Sequence, residues 1–277
     1  MSQRIISLTF YLLRAVMLSL AGLLYILMAS VFYLIFFDPR QQTPDIEYYI
    51  LIIGLFGAVL TFLITLTVSA RANQAVHFPF LVRLPSRVEY LSSTLAASLF
   101  FSFFLQSLVG ILALFANGPD LSLTQFLTIP PLWIAANLLF AVLALHATDL
   151  VAVGWSRVYI FGFLAVLLYV QSILDTLVNW MSGLLDRLSA YILDLGFMGF
   201  AGAISSFSDW LLSSGGDALT TFAGLLFWPF TAIADAAIAG QFNQLQALAP
   251  AMLLLYATVL FLLAADLFST KDLFLSE

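Results

Sequence analysis

Between Ala15 and Phe37 the chain runs for 23 residues without a formal charge. About twenty consecutive apolar residues is what an α-helix needs to cross the hydrocarbon core of a bilayer. Comparable stretches recur at 48–70, 91–116, 131–153, 158–180 and 251–268. Of all residues, 63% are hydrophobic and 9% charged, against about 25% charged in soluble domains, so no soluble fold would hide this much apolar surface. Transmembrane β-strands would show alternating polarity over about ten residues at a time, whereas these runs are continuous Leu, Phe, Ala, Val and Ile. The expected fold is all-α: a polytopic transmembrane helical bundle of about six spans, forming a single transmembrane domain over residues 1–277.

The first run is longer than the core of a secretory signal, and it ends in Phe36, Phe37, Asp38 and Pro39 where a cleavage site would have small residues. It is read as a retained span. Pro39 and Pro44 then break any continuous helix before the second span. The third stops at Asn117, Gly118, Pro119 and Asp120, and the fourth is placed after Pro130 and Pro131. Residues 181–250 are too apolar for an ordinary outer loop yet lack a clean uncharged run of span length. Within them, Leu184 to Leu195 mixes Asp186, Arg187, Ser189 and Asp194 with Leu, Ile and Tyr, a pattern that fits a helix lying in the membrane interface. Gly196, Gly199, Gly202, Gly215, Gly216 and Pro229 interrupt the chain beyond Leu195. Interfacial or re-entrant helices on the outer side are expected there, and two further spans would leave the topology unchanged.

Short loops rich in Lys and Arg stay on the cytoplasmic side of a membrane. Six spans with an inside N-terminus place Arg4, Arg14, Arg71, Arg83, Arg87, Arg157 and Lys271 inside, seven of the nine basic residues. Both termini are therefore expected in the cytoplasm, and composition and charge bias suggest a bacterial inner (plasma) membrane.

Of the segments between spans, residues 71–90 are the most informative. Leu84, Pro85, Ser86, Arg87 and Tyr90 lead directly into the third span, after a stretch containing Phe78 and Phe80. The chain here resembles the permease subunits of ATP-binding-cassette exporters of the second type, in which span two is followed by a short cytoplasmic helix and then by Leu, Pro, Ser, Arg, two variable residues and Tyr. The resemblance extends to the six-span layout and to a Pro-containing element before the last span, here Trp228, Pro229 and Phe230. It implies a cytosolic ATPase subunit and a second permease copy or paralogue as partners, and no cofactor. Arg83, Arg87 and Glu89 would supply the polar contacts to the ATPase, with Phe78 and Phe80 filling an apolar groove in it. The arginines also satisfy the charge bias alone, and the aromatics an interfacial belt. The segment is short for the family, with Pro79 interrupting it.

The chain offers little chemistry of its own. Its only lysine is Lys271 and no Gly-rich loop precedes a Lys and a hydroxyl residue, so nucleotide hydrolysis has no phosphate cradle and the chain is not expected to be an enzyme. There is no cysteine and there are two histidines, which removes thiolate sites and multi-histidine metal sites. The net charge of −6 gives no basic surface for nucleic acid. Ionisable groups inside a membrane are candidates for function by default: His146 and Asp149 on the fourth span, three residues apart and so on one helical face, and Asp175 near the outer end of the fifth. His146 and Asp149 would line a polar path, relay protons or let the histidine ligate a pigment or haem; alternatively they sit at the end of the span, satisfied by Arg157 or water.

Small residues mark close helix contacts: Gly54 and Gly57, Ala96 and Ala97, Ala135 and Ala136. Gln106, Asn137 and Gln171 are placed to hydrogen-bond across them. Phe100, Phe101, Phe103 and Phe104 surround the third span and must face lipid as well as protein. The expected function is the permease subunit of an ATP-driven exporter of an apolar or amphiphilic substrate. The alternatives are an accessory subunit that scaffolds a respiratory or photosynthetic assembly through lipid or pigment contacts, and proton-coupled transport through His146 and Asp149.

Overall fold

In the computed structural model, residues 2–37, 45–74, 84, 86–116, 118–152, 155–239 and 246–270 are described, and all regular structure among them is helical. The helices are α1 (Ser2–Met17), α2 (Leu20–Phe36), α3 (Ile46–Ala72), α4 (Arg87–Phe115), α5 (Leu123–His146), α6 (Trp155–Asp194), α7 (Met198–Trp210), α8 (Gly216–Ala239) and α9 (Ala249–Thr270). A kinked five-residue segment, Leu211–Gly215, in which Ser213 leaves the helical conformation, joins α7 to α8. Among the described residues four helices are long and apolar enough to cross a membrane, or up to six if each of two bent pairs is one span. The protein is a membrane-embedded helical bundle.

One compact unit comprises residues 1–158 and 229–277. In it α3, α5 and α9 run in one direction and α4 in the opposite one, with α2 alongside α3. Tyr49 Oη near the start of α3 donates to Gly110 O near the end of α4 at 3.2 Å, and Tyr90 Oη at the start of α4 donates to Ala72 O at the end of α3 at 2.6 Å, so these two helices are antiparallel. Tyr25 Oη of α2 lies 2.6 Å from Thr67 Oγ1, and Phe32 stacks on Phe56 at 4.1 Å. The end of the bundle carrying Arg71 and Arg87 also receives the C-terminus of α9, where Phe268 stacks on Tyr90.

Where the expected first span begins, the structure has two helices. α1 and α2 meet at 72°. Ser19 caps α2 by accepting from Gly22 N at 3.3 Å while its own hydroxyl donates to Val16 O at 2.6 Å. A side chain at position 22 would collide with the Val16 and Met17 carbonyls, so only glycine permits the turn this tight. Arg71 Nη1 reaches from α3 to Ala15 O at 2.8 Å, satisfying a carbonyl that the end of α1 leaves without a helical partner.

α5 starts at Leu123, eight residues before the expected 131, because Ser122 and Gln125 form a capping box. Pro130 and Pro131 then lie inside the helix, which membrane helices tolerate when neighbours cover the freed carbonyls.

The second unit, residues 159–228, is a helical hairpin. α6 has 40 residues and at about 1.5 Å per residue is about twice as long as the hydrocarbon core is thick. The expected break near residue 181 is absent: no proline interrupts the helix, and its two glycines, Gly162 and Gly183, cost only about 1 kcal/mol each. It ends instead at Gly196, whose φ of +87° permits a Schellman turn with Phe197 N bonded to Ile192 O at 3.2 Å and Gly196 N to Leu193 O at 2.9 Å. α7 folds back on α6 through Ser182 Oγ and Ser208 Oγ at 2.7 Å and through Ser189 Oγ donating to Ala201 O at 2.9 Å.

Candidate functional site

A seam of small and polar residues is buried between α3 and α4. On α3, Gly57, Thr61, Thr65 and Ser69 recur every four residues, and on α4 so do Ser98, Ser102, Gln106 and Gly110; all eight are buried. Four-residue spacing keeps each set on one helix face, and small residues let the two backbones approach. Several hydroxyls bond back to their own helix, Thr65 Oγ1 to Thr61 O at 2.7 Å and Ser98 Oγ to Leu95 O at 2.8 Å. That accommodates these hydroxyls away from water, whereas Thr61 Oγ1 and Ser69 Oγ have no partner among the described residues.

Gln106 is the junction of the seam. Its Nε2 donates to Ile53 O at 3.0 Å, and its Oε1 accepts from Asn137 Nδ2 at 2.5 Å, so one side chain ties α3, α4 and α5 together. Gly57 lies directly against the Gln106 amide, leaving no space for a methyl group. Trp133 Nε1 donates to Ile50 O at 3.3 Å one turn further along. The interhelical hydrogen bond expected of Gln106 and Asn137 thus forms, and it closes the seam instead of opening a path through it.

The second polar cluster sits at the arginine-bearing end. Ser86 caps α4 by accepting from Val88 N at 3.2 Å, Arg87 Nη1 donates to Ser269 O of α9 at 3.3 Å, and Tyr90 reaches α3. Residues of the Leu-Pro-Ser-Arg-x-x-Tyr stretch therefore join three helices at one point. Glu89 is 4% exposed, with Oε2 lacking a hydrogen-bond partner among the described residues. It is part of the interior and is not presented on the surface as a contact for a cytosolic subunit. Phe78, Phe80 and Arg83 lie outside the described residues.

His146 and Asp149 do not share a helical face, because α5 ends at His146 and Asp149 lies in the turn beyond. His146 is fully buried, its Nε2 3.0 Å from Leu260 O of α9, with Nδ1 unpartnered among the described residues. Asp149 is exposed. Asp175 falls within α6, and its side chain lies outside the described residues. Among the described residues no group of three or more His, Cys, Asp or Glu is placed to hold a metal ion.

Clefts open at both ends of the first unit among the described residues. One, of about 320 Å³, is lined by Leu12, Ala15, Val16, Val68, Arg71 and Gln74 at the α1–α2 elbow. The other, of about 170 Å³, lies at the opposite end and includes Tyr49, Phe103, Ile129, Pro130 and Trp133. Sequence reasoning passed over the elbow. Its signal was the arrangement of Ser19 and Gly22 within the uncharged run, which apolar length alone does not register. No family model matches the sequence, and no curated protein or solved structure matches it.

Proposed function

We propose that this chain is the permease subunit of an ATP-driven exporter, moving an apolar or amphiphilic substrate while a separate cytosolic ATPase supplies the energy. A single observation carries the reading: the stretch that resembles the exporter permeases forms the knot at which α3, α4 and α9 are fastened, through Ser86, Arg87 and Tyr90. A push on the segment between α3 and α4 would be transmitted to three helices at once. A second permease copy or paralogue completes the transporter, and the arginine-bearing end faces the cytoplasm of a bacterial inner membrane. The closed seam around Gln106 favours a lipid-like substrate that travels along the bundle surface over a polar one that needs a channel. The same closed packing supports the alternative of a scaffold subunit in a larger membrane complex.

Affinity purification of the full chain from its own membranes separates the two. The exporter reading expects a stoichiometric ATPase whose turnover is stimulated by the chain, and a several-fold loss of that stimulation in Arg87→Ala with the complex still assembled. Recovery of redox or pigment-bearing subunits with no ATPase overturns it in favour of the scaffold.

A further inference from the structure

α1 carries three stripes along its length. Thr9, Leu12 and Val16 are buried in the bundle, and Ser93 Oγ of α4 bonds to Ile5 O at 3.3 Å. Ile6, Phe10 and Met17, spaced by four and seven residues, project outward, with Ile6 53% and Phe10 65% exposed. Arg4, Ser7, Tyr11 and Arg14 form the third face, also exposed. These spacings each follow the helical repeat, so an apolar and a basic face lie side by side on the surface.

We propose that α1 is a membrane-surface helix that engages an anionic lipid leaflet, with Ile6, Phe10 and Met17 in the acyl boundary and Arg4 and Arg14 on the phosphate headgroups. Three observations select lipid as the occupant. First, the apolar stripe is continuous with the exposed side of the first membrane helix: Leu18 is 77% and Leu20 74% exposed, and Leu23, Leu24 and Leu27 continue it on α2. Second, the elbow is built into the fold. Arg71, Ser19 and Gly22 hold α1 at 72° to α2, so α1 lies across the arginine-bearing ends of α3 and α4 instead of extending α2. Third, α1 contains two arginines and no acidic residue in a chain of net charge −6, giving it the charge that anionic headgroups attract. Helices of this kind seat their apolar face about 5–10 Å into the headgroup and acyl boundary.

The chain has no cysteine, so single spin labels report cleanly. The full-length protein with Arg4→Cys, Ile6→Cys, Ser7→Cys, Phe10→Cys, Arg14→Cys or Met17→Cys is placed in nanodiscs of phosphatidylcholine, with and without phosphatidylglycerol. Collision rates with oxygen and with a water-soluble nickel chelate are then measured. Labels at 6, 10 and 17 should show a several-fold higher oxygen-to-nickel ratio than those at 4, 7 and 14. Phosphatidylglycerol should raise the ratio at 10 further, and Arg4→Gln with Arg14→Gln in the Phe10→Cys background should remove that increment while the thermal unfolding midpoint stays unchanged. The proposal is overturned by nickel-dominated labels at 6, 10 and 17. Shielding from both reagents, which marks a protein partner, or dipolar coupling between labels at 10, which marks a second copy, overturns it equally. An anionic-lipid response that survives loss of both arginines removes their assigned role.

Discussion

Gln106 and Asn137 each bring a full amide into the interior of an apolar bundle, and the arrangement works because each helps to satisfy the other. Gln106 Nε2 has Ile53 O and its Oε1 has Asn137 Nδ2, while Gly57 makes room for the side chain between α3 and α4. Lipid tails are as apolar as leucine, so burial of apolar surface gives membrane helices little reason to associate; close packing and interhelical hydrogen bonds take that part, a bond contributing about 0.6 kcal/mol on average and at most about 1.7 kcal/mol. A double-mutant cycle of Gln106→Ala and Asn137→Ala, monitored by unfolding in mixed micelles, should return a coupling of about 1 kcal/mol. Strict additivity would mean that the two amides do not act together. The satisfaction is incomplete: Asn137 Oδ1, like Glu89 Oε2 and His146 Nδ1, is buried without a partner among the described residues.

At the scale of elements, the termini decide more than the apolar runs. The capping box at Ser122 extends α5 outward past two prolines, and the Schellman turn at Gly196 ends α6. Both are short-range hydrogen-bonding devices that hydropathy averages away. Gly196 holds φ at +87°, a conformation that costs an L-residue with a Cβ about 1–2 kcal/mol. Gly196→Ala should accordingly loosen the α6–α7 hairpin, seen as roughly fivefold or greater acceleration of hydrogen exchange over residues 190–200, with exchange in α3 and α4 unaltered. Unchanged exchange at the turn would show that this glycine is not needed there.

At the scale of the whole molecule, the contacts order the helix ends. α1, the C-terminus of α3, the N-terminus of α4 and the C-terminus of α9 converge, through the bonds from Arg71 to Ala15, Ser93 to Ile5, Tyr90 to Ala72 and Arg87 to Ser269. α5 runs parallel to α3, from Trp133 beside Ile50 to its end at His146 beside Leu260. Residues 3 and 269 therefore belong to one end of the bundle and residue 120 to the other. In sealed vesicles a membrane-impermeant maleimide should modify Gln3→Cys and Ser269→Cys from the same side and Asp120→Cys from the opposite side. Labelling of Gln3→Cys and Ser269→Cys from different sides would contradict this ordering.

The sequence by itself determined that the chain is an all-helical membrane protein and roughly where α3, α4 and α9 lie, because uncharged length is a one-dimensional property and the bilayer reads it directly. It also marked Gln106, Asn137 and Gly57 as packing residues. Only the tertiary structure decided that α1 turns away from α2, that α6 runs on unbroken for 40 residues, that Glu89 points inward and that His146 and Asp149 part company at a helix end. The turn of α1 depends on a partner across helices, Arg71 with Ala15, which are too far apart in the chain for a local pattern to announce; the length of α6 and the parting of His146 and Asp149 are set by helix ends that hydropathy averages away.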